Sequence, residues 1–200
     1  MRTLLCAAVL STALSVSLPA QETEATRQLR ERNAEFRREI IRVTDGVYAA
    51  NGYGASIFTM VVGVDGFFLV DTGEALAEFR KITQAPLKAI IFTHGHGDHI
   101  NGAPAFAKPG NDVEVWAHER FGSEGTGFAD AGITIDRQRG ARQAGFQLPP
   151  EKRINNGIAP AVYPRGNAFS PQSAALAPDR KISERTEAVI AGVKDVLAKN

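Results

Sequence analysis

Three of the chain's four histidines fall within six residues, in Thr93-His94-Gly95-His96-Gly97-Asp98-His99. Imidazole and carboxylate side chains packed this densely are metal-ligand chemistry. His94 and His96 stand two apart with glycine between them, so both rings can turn toward one ion. Asp98 and His99 follow and can address a second ion nearby. A mixed nitrogen and carboxylate donor set suits zinc better than magnesium or calcium, which prefer oxygen alone. Gly95 and Gly97 give the loop the backbone freedom it needs to turn several side chains inward.

An apolar run, Leu87 to Phe92, leads into this cluster. It is short and holds aliphatic, β-branched and aromatic residues, so it reads as a buried strand. The cluster then sits on the loop at the strand's C-terminal end, where α/β sheets place their chemistry. Asn101-Gly102-Ala103 opens a helix after it.

His94-x-His96-x-Asp98-His99 resembles the zinc motif of the metallo-β-lactamase superfamily. The resemblance implies that His94 and His96 bind a first ion and that Asp98 and His99 bind a second. It gives Asp98 a catalytic part and makes a metal-activated water the reagent. It also implies an α+β fold, the N-terminal half of an αββα sandwich. Asp71, ending the strand before the first helix of that fold, would lie beneath the metals and orient their loop rather than ligate.

Further segments resemble the alkylsulfatase branch. They include Asn33-Ala34-Glu35-Phe36, Gly46-Val47-Tyr48, Gly52-Tyr53-Gly54-Ala55-Ser56, Val70-Asp71-Thr72, Val113 to Glu119, Leu148-Pro149-Pro150 and Asn156-Gly157-Ile158. Ile57 stands where that branch often has Asn, so no substrate contact is assigned there, and the substrate-binding residues stay open. The implied substrate is a small molecule, the sulfate ester of an alkyl chain, with two zinc ions in the complete site and a homodimer in the full-length family. The alternatives are another hydrolase of the same fold, acting on β-lactams, thioesters or lactones, and a remnant without catalysis.

The motif supplies two ligands per ion, and further ones are needed. In the alkylsulfatase branch one is the Glu of a Gly-Thr-Glu segment. The chain reaches Asn200 just short of where that segment is expected, and no His follows His118. Glu184 and Glu187 match no family ligand position. The expectation is therefore a truncated form, weakly active or inactive, with one apolar sheet face left uncovered. His118, at the end of a strand over Val113 to Ala117, reads as structural.

Composition sets the frame. The 200 residues carry 23 basic and 22 acidic side chains, and Arg2 is the one charge in the first twenty, so residues 21–200 are neutral. Nothing in that balance points to nucleic acid or to an anionic membrane surface. The single cysteine is Cys6, so no disulfide is expected. Residues 1–20 read as a secretory signal: Arg2, an apolar stretch from Leu4 to Leu18, then Pro19-Ala20 before polar Gln21. This predicts a periplasmic or secreted protein whose residues 21–200 form one partial domain with an N-terminal helix.

That helix is expected over Glu22 to Ile41, with Leu29, Phe36, Ile40 and Ile41 as its apolar stripe. Asp45-Gly46 predicts a tight turn, and Asp65-Gly66 a hairpin between strands over Ile57 to Val64 and Phe67 to Val70. Glu74 to Thr83 predicts a helix. Residues 121–150 are Gly-rich, then basic at Arg137, Arg139 and Arg142; such arginines attract sulfate or phosphate, but a solvated surface is the commoner explanation for them. The end, Glu184 to Lys199, fits either a helix or two strands turning at Gly192.

Overall fold

The computed structural model describes residues 21–108, 110–122, 139, 141–143, 145–157 and 176–197. Residues 1–20, Arg137 and most of the Gly-rich stretch lie outside the described residues. A seven-stranded mixed sheet runs in chain order: β1 (Glu39–Thr44), β2 (Val47–Asn51), β3 (Phe58–Val62), β4 (Phe67–Val70), β5 (Leu87–Phe92), β6 (Glu114–His118) and β7 (Arg180–Ile182). The first four strands are antiparallel neighbours, and β4 to β7 are parallel.

The hairpin signals are where they were expected. Asp45-Gly46 joins β1 to β2, and Gly46 has φ 75°. Asp65-Gly66 joins β3 to β4, pairing Val62 with Phe67. β5 is the most buried strand, because it lies between two parallel partners with a covered face on each side.

One face carries the main core. Phe58, Met60, Phe67, Leu69, Ile90 and Phe92 meet Phe79 of helix α2 (Leu76–Ile82), with Ala103 and Ala107 from the segment after the histidine cluster. The other face carries Phe68, Ala89 and Ile91. It is partly covered by a second hairpin, β8 (Thr186–Ile190) and β9 (Val193–Leu197), whose Ile190 and Ala191 are buried there. The layering is helix, sheet, sheet. The expected bare face is thus covered in part from within the chain. Val64 N–H donates to the Ala191 carbonyl at 2.9 Å, which ties the two hairpin turns together.

One expectation is corrected and one open alternative is resolved. The N-terminal helix α1 runs only Glu24–Glu31, followed by a 3-10 turn over Arg32–Phe36. Ile40 and Ile41 belong to β1, paired with Ala50 and Ala49. Their β-branched side chains favour an extended strand with a partner beside it, and pairing across the hairpin outweighs the local helical spacing. The ambiguous C-terminal stretch is two strands, with Ala191 and Gly192 both at positive φ in the turn.

Candidate metal centre

Strands β4, β5 and β6 run parallel, so their C-terminal ends meet at one edge of the sheet. β4 delivers Asp71 and Thr72 there, β5 delivers Thr93 and His94, and β6 delivers His118. Register places Val70 beside Ile91 and Phe92 beside Ala117. The residues after β5 coil into two short helical turns, α3 (Gly97–Ile100) and α4 (Ala103–Phe106), with His96 as the N-cap of α3.

Asp71 organises the loop. Its Oδ1 accepts from Thr93 N–H at 2.9 Å. Its Oδ2 accepts from the Thr93 hydroxyl at 2.8 Å and lies 2.7 Å from His99 Nδ1. The carboxylate is buried, and Asp71 holds φ 59°, a left-handed backbone that Asp tolerates better than most residues. With Nδ1–H on the carboxylate, His99 presents Nε2 outward as a lone-pair donor. That nitrogen stands 3.7 Å from Asp98 Oδ2.

A second chain of contacts orients the other two rings. The Thr93 hydroxyl, donating to Asp71, accepts from His94 Nδ1 at 3.0 Å. His94 Nε2 is then the acceptor toward His96 Nδ1, also at 3.0 Å. Two nitrogens on one tetrahedral zinc, with bonds of 2.0–2.1 Å, stand roughly 3.3–3.4 Å apart. The His94–His96 pair is close to that spacing, and a cation would replace the proton they share. The His94 and His99 rings are 4.0 Å apart between centroids. The sequence-predicted residues are thus brought together as two adjoining pairs. Among the described residues, no three His, Cys, Asp or Glu side chains are disposed to hold one ion as they stand.

The electrostatics separate the two pairs. The hydrogen bond to Asp71 holds His99 above the ordinary imidazole value, against the effect of burial. Burial, then the neighbouring His99 and His96, push His94 below it. A low value suits a ligand, because imidazole must be neutral to bind metal.

The loop is also held through its backbone. The Thr72 N–H and hydroxyl donate to the His99 carbonyl at 2.7 and 3.1 Å. Ser56 Oγ donates to the Asp98 carbonyl at 2.6 Å. Gly102 packs on Gly73, leaving no room for a Cβ. Ser56, Thr72, Thr93 and Gly102 were not identified as site residues from sequence. Their local signal was slight: Thr72 and Thr93 are hydroxyl residues just past the ends of β4 and β5, Ser56 precedes β3, and Gly102 lies between α3 and α4.

Three other candidates have different surroundings. His118 Nδ1 accepts from Arg120 N–H at 3.1 Å, closing the turn after β6. Its Nε2 is buried without a hydrogen-bond partner among the described residues. Glu187 is engaged on the β8–β9 hairpin, 2.8 Å from Lys194 Nζ. The Glu184 carbonyl accepts from the Thr186 hydroxyl.

Strand order and histidine loop together define a metallo-hydrolase fold. Residues 52–167 match the metallo-beta-lactamase superfamily, and the chain belongs to it. Among curated proteins, it is 31% identical over 148 residues to a linear primary-alkylsulfatase from a Pseudomonas species, covering 68% of this chain and 27% of that protein. It is 29% identical over 77 residues to an alkyl/aryl-sulfatase of Saccharomyces cerevisiae, covering 34% and 12%. The fold matches a stereoselective inverting sec-alkylsulfatase from Pseudomonas with a TM-score of 0.60 at 20% identity, over 84% of this chain and 28% of that one. The chain spans about a quarter of the length of the first of these relatives.

Proposed function

We propose that the protein is a zinc-dependent hydrolase of alkyl sulfate esters, with His94 and His96 holding one ion and Asp98 and His99 a second. The observation that carries the reading is the Asp71–Thr93 scaffold, which leaves His99 Nε2 beside the Asp98 carboxylate and His94 Nε2 beside His96. The donor types fit zinc. Bound there, zinc would supply Lewis acidity, neutralising ester charge and bringing the pKa of water to about 7. The chain's own part is to fix the donors. Asp71 sets the His99 tautomer, and Thr93 sets that of His94. Asp98, the carboxylate that faces the ligand nitrogens, is the group placed to hold a proton beside the reacting water. The likeness to linear primary-alkylsulfatase supports the substrate class.

The four motif side chains supply two protein ligands per ion, one short of the three that a catalytic zinc uses. Residues 21–200 by themselves are therefore expected to be weakly active or inactive, with further ligands required for full turnover. Export to the periplasm or beyond is part of the proposal, supported by the signal-like pattern of residues 1–20.

The test is metal analysis of the protein and its His96→Ala variant, with sulfate release from dodecyl sulfate assayed beside nitrocefin and lactone hydrolysis. Equal zinc in both proteins would remove the ligand assignment. Turnover of nitrocefin or lactone in place of the sulfate ester would keep the metal chemistry and move the substrate.

A further inference from the structure

Among the described residues, three of the four donors in the histidine loop have a hydrogen bond that orients the side chain, and Asp98 has none. Asp71 holds the His99 ring, Thr93 holds that of His94, and His94 Nε2 meets His96 Nδ1. The Asp98 carboxylate stands 3.7 Å from His99 Nε2, beyond hydrogen-bond reach. A short side chain with no partner goes where its main chain carries it.

That main chain is anchored from outside the helix. The four-residue turn α3 is too short to supply its later carbonyls with the N–H groups four residues on that a longer helix would offer. The Gly97 carbonyl still accepts from Asn101 N–H at 2.9 Å. The Asp98 carbonyl accepts instead from Ser56 Oγ at 2.6 Å. The His99 carbonyl accepts from the Thr72 N–H and hydroxyl. Both anchors follow from the strand order. β3 and β4 are antiparallel with Thr59 beside Val70, so the entry to β3 and the exit from β4 share one sheet edge. Ser56 precedes the first and Thr72 follows the second. The Thr72 anchor includes a backbone N–H, whereas the Ser56 anchor is a hydroxyl alone.

We infer that Ser56 is a positioning residue for the Asp98 carboxylate, and so for the second proposed ion rather than the first. The inference rests on the two-ion reading of the site. Without the hydroxyl, the Asp98 carbonyl is left to water and the turn is free to rotate the carboxylate away from its ion. His99 keeps its place through Asp71 and Thr72. His94 and His96 keep theirs, because their side-chain contacts run through Thr93 and not through Ser56.

Calorimetric zinc titration of the parent, Ser56→Ala and Ser56→Thr, with metal content as a check, tests this. Ser56→Ala is expected to weaken one ion about tenfold or more, as the loss of an outer hydrogen bond to a ligand does, and to leave the other at parental affinity. Ser56→Thr, which keeps a hydroxyl, should bind both ions as the parent does. Repeating Ser56→Ala in an Asp98→Ala background shows whether Ser56 acts through that carboxylate. The ion that remains should bind equally well with and without the Ser56 change. A general loosening of the loop would instead weaken both ions in the single variant, and the remaining ion in the double variant. Either result overturns the inference. So does parental binding of both ions by Ser56→Ala, or an equal loss in the Ala and Thr variants. A parent that takes up fewer than two ions is a different outcome: it overturns the two-ion reading itself, and this inference with it.

Discussion

Asp71 Oδ2 lies 2.7 Å from His99 Nδ1, across 28 residues of sequence and from the end of a neighbouring parallel strand. The same carboxylate fixes Thr93, so one buried group sets two rings of the histidine loop. Asp71→Asn is the direct test. Asn also tolerates positive φ, so the backbone is not newly strained. The amide nitrogen cannot accept from His99 Nδ1–H, and turning the amide round moves the same conflict to Thr93. Zinc affinity is expected to fall about 10–100-fold, the usual loss when a ligand's supporting hydrogen bond is removed. Competition with a chromogenic chelator reads this out. An unchanged affinity would show that His99 needs no orienting partner.

The same pair gives the metal-free protein a pH dependence. His99 is raised above its unfolded value by Asp71, so the folded state holds that proton more tightly. The resulting stability is fully present below the unfolded imidazole value of about 6.5 and is lost as pH rises through the higher folded value. His94 is lowered and acts with the opposite sign, costing stability as pH falls. Subtracting the Asp71→Asn curve from the parent curve gives the contribution of the Asp71 charge, which acts on His99 first through its hydrogen bond and on His94 as a lesser influence. Urea midpoints of chelator-treated protein should differ most on the acid side and converge as pH rises. A constant difference across the series would contradict the His99 assignment.

Parts of this architecture are written locally and parts are not. The run Leu87 to Phe92 is apolar because β5 is covered on both faces, and its two ends match the strand. Asp65-Gly66 announces its hairpin because few other residues turn so tightly. Ile40 and Ile41 look helical in one dimension; only their pairing with β2 makes them strand residues. β8 and β9 became strands because Ile190 and Ala191 reach the face made by Phe68 and Ile91, roughly a hundred residues or more earlier in the chain. The histidine spacing was visible at once. The supports from Ser56 and Thr72 were not, because both act on backbone carbonyls at a distance that no spacing rule spans.

The proposed export carries its own prediction. Material recovered outside the cytoplasm should begin near Gln21 on N-terminal sequencing, because the apolar stretch after Arg2 ends at Pro19-Ala20. Soluble cytoplasmic protein retaining Met1 would refute export.

The last prediction concerns the contact that seats the histidine loop on the sheet. A Cβ at Gly102 would lie 2.5 Å from Gly73 N and 2.6 Å from Gly73 Cα. These are backbone atoms, so no side-chain rotation relieves the clash. Gly73 cannot retreat either, since it already packs on the Phe58 ring, which is buried in the core. Gly102→Ala must therefore lift the α3–α4 segment away from the end of β4. Overpacking of this kind costs about 1–3 kcal/mol. The shift would stretch the Thr72 contacts to the His99 carbonyl and move His99 off Asp71, so zinc affinity should fall together with stability. Gly110→Ala is the control: no atom lies within 4 Å of a Cβ there, and its positive φ of 86° adds only local backbone strain. It should lose some stability while leaving zinc affinity unchanged. Chemical denaturation and chelator competition on both variants decide the matter. A Gly102→Ala protein with parental zinc affinity would mean that the loop holds its donors without this contact.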